Sequence, residues 1–501
     1  MGRQRKPLTS KSVGQSGVDL VILRASPELD RKRFPGRAGR EQPGLMPLVT
    51  KSKIMNEPVI KSAQAPYSRR SFLKTSSTAF AGGALLGALP VERFALGASP
   101  GDTLRLALIG CGGRGSGAAS QALSTSGSVK LVAVADAFKD RLEGGLNNLK
   151  KQHNDKIEVT DDSKFIGFDA YKKAIAMADV VILATPPGFR PIHFEEAIRQ
   201  NKHVFTEKPV ATDAPGIRKF LAAAEEAKKK NLKVGVGLQR HHQAGYLETL
   251  KRLHDGGIGD IVAMRAYWNG TTPWVRPRAE LEKQAGRKLT EMEYQMRNWY
   301  YFVWTCGDHI CEQHIHNLDV INWVKKGHPV RANGMGGCEV RKGKDYGEIF
   351  DHHAVEFEYA DGSRCASQCR HINGCWGSVS EAVVGTKGTC DVSGHVIRGE
   401  TAWRYKNQGA KDPYQQEHDD LWAAIRNDTP YNEAEYGAHS SMTAILGRMA
   451  TYSGKVIEWE AAINSELSVM PKDYAWDAET PTKPDDEGWY AHAVPGKTVV
   501  I

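Results

Sequence analysis

At 501 residues the chain is long enough for two or three domains, and it carries a formal net charge of +9. The positive excess lies in the first 98 residues and the rest is close to neutral, which argues against a nucleic-acid-binding body. Eight cysteines without a CxxC pair, one of them (Cys111) inside a glycine-rich turn, argue against a disulfide framework. Cys365, Cys369 and Cys375 lie close together but read as small core residues rather than metal ligands.

Residues 1–66 read as a disordered basic extension, without hydrophobic periodicity over 1–54 and with Met55 as an alternative start. Within 67–98, Arg69 and Arg70 stand one residue before Phe72, Leu73 and Lys74. A short Gly/Ala-rich run and a small-residue zone at 95–98 follow. This pattern reads as a twin-arginine signal peptide, too weakly apolar to span a membrane. It predicts export, to a periplasm or otherwise out of the cytoplasm, through the twin-arginine machinery.

From residue 103 apolar runs alternate with helical patterns. Strands are expected at 104–109, 130–136, 179–185, 203–206 and 233–237, and helices at 115–123, 138–151, 170–178, 192–200 and 216–231. Such alternation predicts a doubly wound parallel sheet, a Rossmann domain over 103–232. After the first strand, Gly110, Gly112 and Gly115 have the G-x-G-x-x-G spacing of a dinucleotide-binding turn. The first makes the tight turn, the second lets backbone approach a pyrophosphate, and the third allows close helix–strand packing. Gly113 and Arg114 lie within the same turn. Asp136 ends the second strand where a ribose 2′-hydroxyl would sit, which favours NAD over NADP, although Lys139 and Arg141 are near in sequence.

Beyond 237 the texture changes. A helix is expected at 246–255 and a strand at 261–268, followed by a long loop at 271–304 rich in Trp, Tyr and Arg. A hairpin at 354–366 turns at Asp361 and Gly362, with strands at 376–384 and 388–392 and helices at 415–426 and 435–453. Residues 233–465 therefore read as an α+β substrate and oligomerisation domain with an open, mostly antiparallel sheet, and 466–501 as a tail.

Several stretches together resemble one family: the glycine turn, Ala184 to Pro187, Lys202 to Pro209, and Cys311 to Asp319. From about residue 103 to 465 the chain is similar to the glucose–fructose oxidoreductase/inositol dehydrogenase (Gfo/Idh/MocA) family. The resemblance implies a Rossmann domain, an open-faced sheet domain that commonly pairs into homo-oligomers, and a retained or exchangeable NAD(P). It also implies sugar or cyclitol substrates oxidised at a secondary hydroxyl. Lys208 falls at the family's catalytic lysine and His316 at its catalytic histidine, with Thr185, Pro186 and Glu207 beside the cofactor. Glu312 stands where the family usually has Asp. It would share a face with His316 if the helix has begun by then. His314 replaces a small residue and is a candidate to reach the pocket.

Arg240, followed by His241 and His242, is a candidate for cofactor or substrate contact, or else a solvated strand end. Trp299, Tyr300 and Trp304 either stack on a sugar face, Trp299 being the candidate, or form a small core. His309, Glu312, His314, His316 and Asp319 do not have a zinc spacing, and no metal is expected. The reading is an exported NAD(P)-dependent oxidoreductase acting on a carbohydrate or cyclitol. The alternatives are a glycoside hydrolase or lyase that oxidises transiently with no net redox change, and a sugar-sensing protein, against which Lys208, His316 and the export signal argue.

Overall fold

Residues 102–501 are described by the structure, a computed structural model; the basic extension, Met55 and the twin-arginine segment lie outside them. The first sheet contains six parallel strands: β1 (Leu104–Ile109), β2 (Val129–Asp136), β3 (Lys164–Ile166), β4 (Val180–Leu183), β5 (His203–Thr206) and β6 (Val234–Val236). Their order, β3-β2-β1-β4-β5-β6, is the doubly wound arrangement in which ligands bind beyond the carboxyl ends of the strands. The strands are apolar because helices cover both faces; β4 is buried at every position. The crossovers are α1 (Gly113–Leu123), α2 (Lys139–His153), α3 (Ala170–Ala176), α4 (Arg190–Arg199) and α5 (Ala214–Lys229), and α6 (Ala244–His254) leads out.

The second sheet has nine strands: β7 (Ile261–Gly270), β8 (Arg331–Gly337), β9 (His352–Glu358), β10 (Arg364–His371), β11 (Ser378–Gly385), β12 (Gly388–Asp391), β13 (Val396–Gly399), β14 (Trp403–Arg404) and β15 (Ile457–Glu458). Their order is β14-β13-β12-β11-β7-β10-β9-β8-β15, antiparallel except for the β7–β10 pair. The hairpin β9–β10 turns at Gly362, whose φ of +81° suits glycine. One face alternates buried and exposed positions along β9 and β10, and α11 (Ile315–Lys325) and α13 (Ala434–Ser453) cover the buried side. The fold is thus a Rossmann domain joined to an α+β domain with a mostly antiparallel sheet.

Besides strands that were not foreseen, β3, β8 and β13 to β15, three features differ from the sequence expectation. The parallel sheet extends through β6, past residue 232, and α12 (Pro413–Arg426) returns to the first domain, where Leu421, Trp422 and Ile425 pack with Leu106 and Leu108. The 271–304 segment is not a loop. It holds α7 (Arg278–Ala285), α8 (Glu291–Arg297) and α9 (Val303–Cys306), with the Thr290 hydroxyl capping α8 by accepting from the Glu293 amide at 3.2 Å. These helices are too short for a hydrophobic period to show, and they bury Met292, Tyr294, Tyr301 and Trp304 in a core of their own. Finally, 466–501 begins after α14 (Trp459–Ile463) with no regular structure, yet it is packed: Trp476 lies 5.1 Å from Phe138 and 4.6 Å from Phe168, centre to centre.

Candidate active site

A cavity of about 600 Å³ opens between the carboxyl ends of β1, β2, β4 and β5 and the second domain. Every residue expected at the cofactor lines it: Gly110, Gly112, Gly113, Arg114, Gly115, Asp136, Thr185, Pro186, Glu207 and Lys208. The glycines act as their spacing implies. Gly110 has φ +93°, and a Cβ there would stand 2.6 Å from the Ala184 backbone; one on Gly115 would stand 1.9 Å from the Gly110 carbonyl oxygen. Gly112 and Gly113 instead face open space, with nothing within 4 Å of a Cβ. The first amide of α1 bonded within the helix is that of Ser116, to Gly112, so the preceding amides are presented to the cleft, as a pyrophosphate requires.

Asp136 places its two oxygens on the amides of Cys111 (2.7 Å) and Phe138 (2.9 Å), bracing the turn against the end of β2. Burial pushes its carboxyl up, opposed by these two amides. On the other side of the turn Arg114 donates to Glu207 and, at 3.3 Å, to Glu417, and its guanidinium lies over the Tyr414 ring. Burial would push Glu207 up, but Arg114, Lys208 and Arg190 together hold it below its ordinary value. For Glu417 the balance goes the other way: burial, then the Glu207 charge, drive it well above its ordinary value, against the pull of Arg114. Arg190, also in the cavity wall and only 5% exposed, is lowered to about 10 by burial.

Lys208, at the end of β5, and His316, in α11, face the same cavity. Lys208 Nζ donates to the Glu312 carbonyl oxygen and lies 3.4 Å from Glu312 Oε1. The His316 ring stacks on Trp268 at 5.9 Å between centres. Burial, then the charges of Lys208, Arg240 and Arg114, push His316 well below its ordinary value, so the imidazole is neutral. Its Nδ1 is buried and has no partner among the described residues.

Glu312 and His316 do not share one helix face. α10 (His309–Glu312) stops, Gln313 breaks the path, and α11 starts at Ile315. Both residues still reach the cavity, Glu312 through its grip on Lys208. His314 does not reach it. The break turns the ring into the core, where Nε2 meets Ser367 Oγ of β10 at 2.7 Å. Arg240 is likewise withdrawn, paired with the buried Glu381 of β11 and donating to the His316 carbonyl at 3.0 Å. It therefore supports the backbone of His316 rather than facing the cavity. Trp299 lines the cavity with Trp274, whereas Tyr300 and Trp304 are core. Asp319 bonds His241 and Ser440, and His242 bridges Asp420 and Glu433. Arg190, Gln313, Trp268 and Tyr414 were not anticipated. Tyr414 and Glu417 meet the glycine turn from about 300 residues away, a proximity that leaves no local signal.

Fold and cleft together define a dinucleotide-binding α/β domain that shares its ligand cavity with a second, sheet-based domain. Residues 104–237 match the oxidoreductase family with an NAD-binding Rossmann fold (Gfo/Idh/MocA). The chain is 30% identical over 161 residues to an inositol 2-dehydrogenase of Rhizobium meliloti, covering 32% of this chain and 43% of that protein. It is 28% identical over 161 residues to a glycosyl hydrolase family 109 protein of Streptomyces coelicolor, covering 32% of each. The matched segments thus span less than half of either relative. An aldose–aldose oxidoreductase of Caulobacter crescentus, crystallised with glycerol, has the same fold: TM-score 0.55 at 17% identity, over 71% of this chain and 100% of that one.

Proposed function

We propose that the protein is an exported NAD-dependent oxidoreductase that oxidises a secondary hydroxyl of a sugar or cyclitol. The observation that carries this is that Lys208 and His316 come from different domains to one cavity floored by the glycine turn. The open Gly112 and Gly113 backbone, the presented amides of α1 and the Asp136 carboxylate fit a dinucleotide. A nicotinamide held there supplies the hydride acceptor. Lys208, anchored on Glu312, donates a hydrogen bond to the substrate oxygen and stabilises the negative charge that develops on it. Neutral His316 is the base that takes the hydroxyl proton, and its burial, with the positive charges of Lys208 and Arg240, keeps it unprotonated until substrate arrives. Trp268, Trp274 and Trp299 provide apolar surface for a sugar ring.

The similarity to an inositol 2-dehydrogenase supports a cyclitol or sugar substrate. The similarity to a glycosyl hydrolase supports a second reading, glycoside cleavage by transient oxidation with the cofactor returned to its starting state. One experiment separates them: purified protein with NAD and a panel of inositols, aldoses and glycosides, followed for both NADH and released product. Net NADH supports the dehydrogenase; product without net NADH supports the second reading. Absence of both, together with no bound nucleotide in native mass spectrometry, would sink the proposal. Export is tested by replacing Arg69 and Arg70 with Lys, which should leave precursor in the cytoplasm, whereas deleting residues 1–54 should not.

A further inference from the structure

Behind the cavity, where α10 meets β9, is a cluster that the proposed chemistry does not use. Asp308, His309 and His353 are buried, and each offers a donor atom within 4.8 Å of the others. Asp308 Oδ1 stands 2.8 Å from His309 Nδ1, and Oδ2 stands 3.3 Å from His353 Nε2. The two imidazole centres are 4.8 Å apart. Two imidazoles bound through nitrogen to one tetrahedral ion, at the usual zinc–nitrogen length, would place their ring centres about 5 Å apart.

Two further observations point the same way. Asp308 has φ +71° and ψ 162°, a backbone region nearly confined to glycine, so the surroundings dictate where its carboxylate sits. His353 Nδ1 lies 2.9 Å from the Thr451 hydroxyl, which is within reach of the α13 carbonyls of Gly447 (3.2 Å) and Arg448 (3.0 Å). When the threonine gives its one proton to such a carbonyl rather than to His353 Nδ1, it accepts from the imidazole. His353 Nε2 then turns a lone pair toward a carboxylate. It has no hydrogen-bond partner among the described residues. In that tautomer a proton or a metal cation stands between them. The supporting bonds are those of a ligating carboxylate: Tyr452 donates its hydroxyl to Oδ2 at 2.6 Å, the Phe350 amide donates to Oδ2 at 3.0 Å, and the His309 amide donates to Oδ1.

We propose that Asp308, His309 and His353 form a buried site for a divalent transition metal, zinc being the ion that two imidazoles and one carboxylate favour over magnesium or calcium. The buried guanidiniums of Arg341 and Arg448 oppose the added charge. The three residues do not line the cavity, so the ion's role is positional. It ties β9 to α10, whose last residue, Glu312, holds Lys208.

The test is elemental analysis of the full-length protein, grown with zinc and purified without chelator, alongside thermal unfolding. Near-stoichiometric zinc is expected. Dialysis against a chelator should lower the Tm, and added zinc should restore it, because the ion binds only the folded chain. His353→Ala should lose the metal, while replacing its half-exposed neighbour, His352→Ala, should retain it. If His353→Ala does not fold, the wild-type measurements alone decide. Trace zinc only, zinc lost equally in both variants, or a wild-type Tm that neither chelator nor zinc moves would overturn the site and leave Asp308 with the two imidazoles alone.

Discussion

Lys208 is the residue whose replacement tests the catalytic reading most directly. Its Nζ has two anchors of unequal quality: the Glu312 carbonyl at close range and the Glu312 carboxylate at 3.4 Å, beyond a good charge-assisted hydrogen bond. Lys208→Met keeps most of the side-chain volume and removes the donor. If Lys208 acts on the substrate oxygen, turnover should fall by about 10²–10⁴, which is about 2.7–5.4 kcal/mol of transition-state stabilisation at 1.36 kcal/mol per tenfold. Glu312→Gln keeps the carbonyl anchor and loses only the longer contact, so it should cost about 1 kcal/mol, less than tenfold. The assay is steady-state turnover on whichever polyol proves active, with NAD affinity measured separately by fluorescence and the Tm as a control. The Tm matters because Lys208 is one of three cations that hold Glu207 ionised in a buried position. Near-normal turnover in Lys208→Met would remove it from the chemistry. A Glu312→Gln loss equal to that of Lys208→Met would show that the carboxylate, rather than the backbone, sets the lysine.

The glycine turn makes opposite demands at two positions. Gly115→Ala, whose Cβ would stand 1.9 Å from the Gly110 oxygen, should lower both Tm and NAD affinity; Gly112→Ala, with open space around its Cβ, should keep the Tm and weaken only NAD. Equal Tm values for the two variants would contradict this. Asp136→Ala should weaken NAD more than NADP, since a carboxylate there binds a free ribose hydroxyl and repels a 2′-phosphate; titrations with both nucleotides check it, and equal losses would contradict the assignment. His242 gives a pH signature. Burial would lower its imidazolium, but Asp420 and Glu433 raise it from 6.5 to about 10. A raised folded value stabilises fully below about 6.5, and that contribution is lost as the pH climbs through about 10. Between pH 7 and 10, the Tm of the wild type should therefore fall more steeply than that of His242→Gln, and parallel curves would refute it.

The sequence by itself determined what is encoded locally. The order and type of the parallel elements, apart from the three-residue edge strand β3, followed from short apolar runs between helical segments. The glycine turn was legible because Gly110 and Gly115 answer backbone requirements that other side chains violate at short range, while Gly112 leaves open space for a ligand. Lys208 and His316 were legible through short stretches whose neighbours are adjacent in the chain. The tertiary structure decided everything that depends on direction. His314, two residues from His316, points into the core because α10 stops at Glu312 and α11 restarts at Ile315, a break that residue spacing does not register. Arg240 is a cation beside a candidate pocket in sequence, yet Glu381, 141 residues on, captures it. Arg114 gains Glu417 across 303 residues. The aromatic 271–304 segment looked irregular because helices of four to eight residues carry too few turns for periodicity to emerge, and only their packing against each other and the 466–501 segment gives them a shape. Spacing along the chain specifies which groups a turn or strand presents, whereas which of them meet in one cavity is settled by packing between residues hundreds of positions apart.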